Sequence, residues 1–290
     1  MSRIRIGKYQ LLAIAVVLIG GVVFAQDYQR RSSRSQDRSA YDDRAGVPLW
    51  KKSKEFQHDV FTFARIHYDS VISDRYDDST YRGGRGGVQS KWRTDFPDAD
   101  LNLSYRLKEL TSLEVDPNGV VIRLTDESLF DYPFIYIIEP GHLRFSEAEV
   151  VALRRYLTKG GFLMVDDFWG EYEWENFRKQ MKRVFPNRDA SEVPLEHEIF
   201  HIVYDLKTKP MIPSIQSYMW GRRSERRDAQ EAHYRGIFDD EDRMMVFICH
   251  NTDLGDGWER EGEDQGYFEK YSEPYAYPLG INIVTYAMTH

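Results

Sequence analysis

PFIYIIEPGHLRFSEAEVVALRRYLTKGGFLMVDDFWG, residues 133–170, is the stretch that decides the fold. Phe134 to Ile138 is apolar without alternation, the pattern of a strand buried on both faces. Ser146-Glu-Ala-Glu149 is a capping box that opens a helix with Val150, Leu153 and Leu157 on one face. Gly160-Gly161 ends that helix, and Phe162 to Val165 is a second buried strand. Trp174, Phe177, Met181 and Val184 then recur at helical spacing until Pro186 stops them. Strand, helix, strand, helix with short connections predicts an α/β fold, a parallel sheet with helices on both faces.

Upstream, Phe61 to Ile66 is β-rich, Leu103, Leu107 and Leu110 mark a helix that Asp98 or Asp100 would cap, and Val120 to Leu124 is a short strand. Downstream, Ile202 to Tyr204 and Met244 to Ile248 have strand composition, and Leu279, Ile283, Tyr286 and Ala287 suit a closing helix. Three polar stretches interrupt the pattern, near 73–91, 222–235 and 251–277, and are expected to be loop insertions.

The first residues carry Arg3, Arg5 and Lys8, then an apolar run from Leu11 to Phe24, then Ala25 before Gln26. That is the order of a secretory signal, so residues 1–25 are expected to be cleaved and the mature domain to be soluble in the periplasm or otherwise exported. The alternative is an N-terminal membrane anchor, for which the run falls short of the ~20 residues that span a bilayer. Residues 26–54 hold eight basic and four acidic side chains and few apolar ones, the composition of a disordered basic linker. The whole chain carries −8, so the body from Glu55 onward carries −15 once the three basic residues of the signal and this arm are set aside. An acidic body argues against nucleic acid as its partner. With Cys249 the only cysteine, there is no internal disulfide.

In an open parallel sheet ligands bind beyond the carboxyl ends of the strands, where loops and helix N-termini converge. The residues just past the expected strands are Tyr68 and Asp69, Glu139 and His142, Asp166 and Asp167, and His250 and Asp253. These form the candidate ligand-binding cleft. Adjacent Asp166 and Asp167 could bind a cation or share a proton; in the plainer reading one caps the next helix and the other is solvated. A divalent metal is the cofactor such a set would accept.

His197-Glu-Ile-Phe-His201 matches the H-E-x-x-H zinc pattern, but that chemistry needs a long helix. Pro194 upstream and the β-branched and aromatic residues Ile199, Phe200, Ile202, Val203 and Tyr204 favour a strand or irregular run. Asp166, Asp167, His197 and His201 are the metal-ligand candidates. No G-x-S-x-G elbow is present, and Cys249 and His250, as strand neighbours, face opposite sides. Gly83 to Gly87 lacks the context of a phosphate loop, and Asn251 to Gly257 has the oxygen density of a calcium loop without its register.

The segments WRTDFPDADLNLSYRL (92–107), the 133–170 stretch, PLEHEIFHIVYDL (194–206), HNTDLGDGWE (250–259) and PLGINIVTYAMTH (278–290) resemble, in order, those of the bacterial DUF4159 family of unknown function. The resemblance implies a flavodoxin-like, class I glutamine amidotransferase-like sheet. Catalytic members of that wider group carry a cysteine on a tight turn after a central strand. Here the strand runs into Asp166-Asp167-Phe168, with no thiol or hydroxyl at the turn. The resemblance therefore implies no catalytic residues, and the expected function is a non-catalytic ligand- or protein-binding module. By analogy it has a protein partner in a cell-envelope complex. The alternative is a metal-dependent hydrolase using strand-end carboxylates and histidines.

Overall fold

The computed structural model describes residues 41, 44, 46–52, 60–70 and 91–290. The signal, most of the linker and all but the last residue of the 73–91 insertion lie outside the described residues. Seven strands, β1 (Ala64–Ile66), β2 (Val120–Ile122), β3 (Phe134–Ile138), β4 (Phe162–Asp166), β5 (Ser191–Glu192), β6 (His233–Phe238) and β7 (Met244–His250), form one sheet. Their order is β2-β1-β3-β4-β7-β6-β5. The first five in that order are parallel, as expected, while β6 runs antiparallel to β7 and β5 antiparallel to β6.

The helices are α1 (Asp98–Leu110), α2 (Glu147–Thr158), α3 (Gly170–Val184), α4 (Ile215–Met219), α5 (Leu254–Glu259) and α6 (Tyr277–Thr289). Strand alternation sends Phe134, Tyr136, Ile138, Phe162, Met164, Phe247 and Cys249 to one face. There they share a core with Leu103 and Leu107 of α1, Trp258 of α5 and Leu279 and Ile283 of α6. Ile135, Ile137, Leu163, Val165 and Ile248 are buried on the other face, on the side of α2, which packs on β7 and on α3. The Ser146 box forms as read: its hydroxyl accepts from Glu149 N–H, and the Glu149 carboxylate accepts from Ser146 N–H at 2.8 Å.

Four expectations are corrected. The N-cap of α1 is Pro97, with no side-chain cap; Asp100 is instead buried against Arg65. Ile202 to Tyr204 is not a strand. The N–H groups of Val203 and Tyr204 donate to Asn282 Oδ1, and Asn282 Nδ2 donates to Tyr204 O at 2.8 Å, so one amide of α6 takes the place of a strand partner. The polar stretch 222–235 runs into β6, and 251–277 is mostly helical: α5, a turn at Gln265–Tyr267 and a π-helix over Phe268–Ala276 that contains Pro274. Of the 26–54 linker, the described residues 44 and 46–52 are fastened to the loop at 115–118. Arg44 Nη1 donates to Pro117 O at 2.8 Å, and Trp50 Nε1 donates to Val115 O at 2.8 Å.

Arg65 in the middle of β1 has no solvent exposure. Its Nε lies 3.1 Å from both oxygens of Asp100 on α1, and its Nη1 donates to Trp92 O and Thr94 O. The guanidinium also sits over the Tyr136 ring at 5.0 Å. Strand, helix and the turn that leads to Asp95 are thus joined through one side chain. Breaking a buried pair strands the remaining charge, so Asp100→Ala is expected to cost about 3–5 kcal/mol in urea unfolding. Arg65→Met combined with Asp100→Leu should cost less than the sum of the single substitutions.

Candidate functional site

The parallel strands deliver their carboxyl ends to one edge in an unusual backbone state. Glu139 after β3, Asp167 after β4 and Asn251 after β7 have φ of 48°, 56° and 60°, and Asp95 on the adjoining turn has 58°. A non-glycine residue in the left-handed region is uncommon, and such strain gathers where function fixes geometry. Three consecutive parallel strands share it. Gly170 (φ 76°) follows Asp167 and opens α3; its N–H donates to Asn251 Oδ1 at 2.8 Å, so the β4 and β7 turns are tied together.

Among the described residues, four buried carboxylates without an ion pair line this edge: Asp95, Asp166, Asp167 and Asp253. Asp166 ends β4, and its Oδ2 accepts from Gly255 N–H at 2.9 Å and from the Tyr136 hydroxyl at 3.3 Å. Asp167 Oδ1 accepts from Trp169 Nε1 at 2.9 Å. Asp253 is the N-cap of α5, its Oδ1 accepting from Asp256 N–H at 2.7 Å. Carboxylate oxygens of Asp95, Asp167 and Asp253 lie within 4.8 Å of one another. Asp95 is likewise grouped with Asp256 and Glu259, but those two are ion-paired with Arg260.

Burial pushes Asp95 well up, with Asp256 and Glu259 adding to it. It does the same to Asp167, reinforced by Glu139, and to Asp253, reinforced by Asp167. Burial takes Asp166 to about 7 despite the N–H of Gly255. Taking an unpaired carboxylate out of water disfavours its charged form, and a like charge nearby does so again.

Around this centre lies a paired rim. Glu139 accepts from Lys91 Nζ at 3.1 Å and Thr94 Oγ1 at 3.2 Å. His142 Nε2 stands 3.6 Å from Glu173, whose other oxygen accepts from Trp169 N–H at 2.6 Å and which also pairs with Arg226. Burial is the largest influence on Glu173 and would raise it, yet His142, that N–H and Arg226 together hold it below its ordinary value.

Of the residues expected at the cleft, Asp166, Asp167 and Asp253 meet, with Glu139 and His142 on the rim. Asp69 does not join them: it is exposed and faces Arg123. His250 lies on the other face of the sheet, stacked on Trp174 of α3 with ring centroids 5.3 Å apart. His197 and His201 are remote. The His197 ring touches Phe238, which pairs with Met244 at the first residue of β7, whereas Asp253 follows its last. His197 Nδ1 accepts from Ile199 N–H, and His201 bonds Asp205 and Leu195 O. Glu198, the would-be zinc base, pairs with His290. Both histidines hold a short 3-10 turn, Glu198–Phe200, rather than a zinc helix.

A family model described as a domain of unknown function, DUF4159, matches residues 62–288. The chain belongs to that family. No match to a curated protein was found. The matched span of the DUF4159 domain contains every carboxylate of the centre and Asp256 beside it. The sequence pattern points to Asp98 and Asp100 rather than Asp95, and gives Asp256 only as part of an oxygen-rich loop. The sequence signal for Asp256 was the i, i+3 spacing from Asp253, which is that of an N-cap and its first turn.

His250 in the DUF4159 domain is held neutral. Arg235 Nη1 donates to its Nδ1 at 3.1 Å, and Nε2 lies 3.2 Å from Gly170 O, so only the Nε2–H tautomer satisfies both neighbours. Burial, with Arg235 and His233 nearby, lowers its pKa to about 4. The unfolded chain takes up this proton at ~6.5 and the folded one near 4, so stability is lost as pH falls between those values. Relative to His250→Gln, the wild type is expected to lose up to ~3 kcal/mol between pH 7 and pH 4, read from urea midpoints at each pH.

Proposed function

We propose that this DUF4159 domain is a non-catalytic binding module that takes its ligand, or a segment of a protein partner, in the cleft at the carboxyl ends of β3, β4 and β7. The observation that carries the reading is the turn after β4. Where catalytic members of the resembled scaffold carry a thiol, this chain has Asp167 in a left-handed conformation, its carboxylate held by Trp169. The only thiol, Cys249, is fully buried on the core face and pushed up by burial, the reverse of what a nucleophile needs. Numbered among themselves, the parallel strands run 2-1-3-4-5, which supports the flavodoxin-like assignment. Export to the cell envelope is supported by the order Arg3, Arg5, Lys8, then Leu11 to Phe24. Among the described residues no helix is long and apolar enough to cross a membrane.

A metal-dependent hydrolase is the second reading, favoured by the density of buried carboxylates; His197 and His201 are engaged at the opposite end of the sheet and lend it nothing. The two are separated by activity. Incubation of the full chain with L-glutamine or p-nitrophenyl acetate is expected to give no turnover above buffer, and iodoacetamide should leave the native protein unlabelled. Ammonia or nitrophenol release that Asp167→Asn abolishes would overturn the binding reading. In a thermal-shift screen of amino acids, sugars, nucleotides and cell-wall fragments, at least one class should raise the melting temperature. That shift should shrink in Glu139→Gln, which loosens the Lys91 and Thr94 side of the cleft.

A further inference from the structure

The carboxylates of the cleft differ in how their charge is met. Glu139 pairs with Lys91, Glu173 with Arg226, and Asp256 and Glu259 with Arg260. Arg65, the other basic group near the edge, is committed to Asp100 and the Trp92 and Thr94 carbonyls. Among the described residues, no ion pair reaches Asp95, Asp166, Asp167 or Asp253.

Two of these acids also carry oxygens with nothing to bond. Asp95 Oδ2 and Asp166 Oδ1 are buried without a hydrogen-bond partner, in side chains whose residues retain 8% and 0% exposure. A buried polar atom left unsatisfied costs about 1–3 kcal/mol, and more when charged. Two such atoms at one strand edge, in a chain that pairs Glu139, Glu173, Asp256 and Glu259 with basic side chains, call for a missing positive charge. The remaining oxygens are fixed in advance: Trp169, Asp256 N–H and Gly255 N–H each hold one oxygen of Asp167, Asp253 and Asp166. Anchoring a carboxylate from behind is how a protein orients a metal ligand.

We propose that Asp95, Asp167 and Asp253 bind one hard divalent cation, Ca²⁺, Mg²⁺ or Mn²⁺, at the floor of the cleft, with Asp166 as a fourth negative charge beneath it. An all-oxygen donor set selects hard ions over zinc or copper. Three carboxylate oxygens that all lie within 4.8 Å of one another are close enough for a single ion to bridge, since opposite Ca–O bonds of about 2.4 Å reach that far. Gly255 makes the approach possible: a Cβ there would stand 2.4 Å from Asp95 Oδ2. The proposal rests on the reading of this edge as the binding cleft and adds the ion through which an anionic or oxygen-rich ligand would be held.

The test uses the full chain, purified without a histidine tag, stripped with EDTA and exchanged into chelator-free buffer. Calorimetric titration with CaCl₂, MgCl₂ or MnCl₂ singly is expected to show one ion per chain for at least one of the three. Tb³⁺ luminescence sensitised through Trp169 should report the same site. Asp167→Asn and Asp253→Asn should each weaken binding at least tenfold, and Glu175→Gln, on the exposed face of α3, should not. Should the aspartate variants fold poorly, Gly255→Ala serves instead: alanine suits a helix, and its Cβ moves Asp95 away, so affinity should fall while circular dichroism is kept. Absence of heat and of any melting shift with all three salts, or binding unchanged in both aspartate variants, overturns the proposal. A cleft ligand found in the thermal-shift screen that binds equally with and without EDTA sinks the cation and leaves the binding module standing.

Discussion

The guanidinium of Arg65 is the constraint on which the candidate site depends. A charge buried within a parallel sheet is tolerated only when every donor is met, and the partners it recruits come from three places: β3 beneath it, α1 beside it, and the carbonyls of Trp92 and Thr94. Meeting those demands folds the 91–97 segment over the end of β1 and delivers Asp95 to the edge. Hydrophobic burial would hold α1 on the sheet without it, since Ala99, Leu103 and Leu107 are fully buried. What burial alone would not fix is the conformation of the turn.

The two faces of this edge follow opposite rules. Around the rim Glu139, Glu173, Asp256 and Glu259 are each matched with a base. Toward the core the acids crowd together, and the backbone at Asp95 and Asp167 is held in left-handed conformations costing of order 1 kcal/mol or more each. A chain selected for stability alone would place glycine or asparagine at Glu139 and Asp167 and would separate the carboxylates. That it does neither marks the edge as the place where stability yields to another requirement.

Legibility in the sequence tracked how local the physics was. Phe134 to Ile138 and Phe162 to Val165 read as buried strands because a sheet covered on both faces leaves no polar position to confuse the pattern, and the structure extends the second by one residue, to Asp166. The Ser146 box and Gly160 are signals written within a few residues, and the structure contains both. β6 was missed because HYRGIF mixes charge and glycine, as an antiparallel strand near the border of a sheet can. The 251–277 stretch read as loop because its Gly, Asp and Pro outweigh Trp258, Tyr267 and Tyr271, the buried anchors that fold it. Ile202 to Tyr204 had strand composition but found a side-chain amide from α6 instead of a strand. Asp166, Asp167 and Asp253 were legible from their place after strands, whereas Asp95 reaches the site only through the distant Arg65, which no local pattern encodes.

Both borders of the sheet are short. β2 is three residues long, and β5 is two, both of them exposed. An open strand edge is a template on which a second chain can add its own strand, and natural sheets blunt that hazard by truncation. At either border this protein offers too few unpaired backbone groups to seed such growth. Encounters between copies, or with an extended peptide, therefore have to be made by side chains, and aggregation by edge-to-edge zipping is disfavoured even when the chain is crowded.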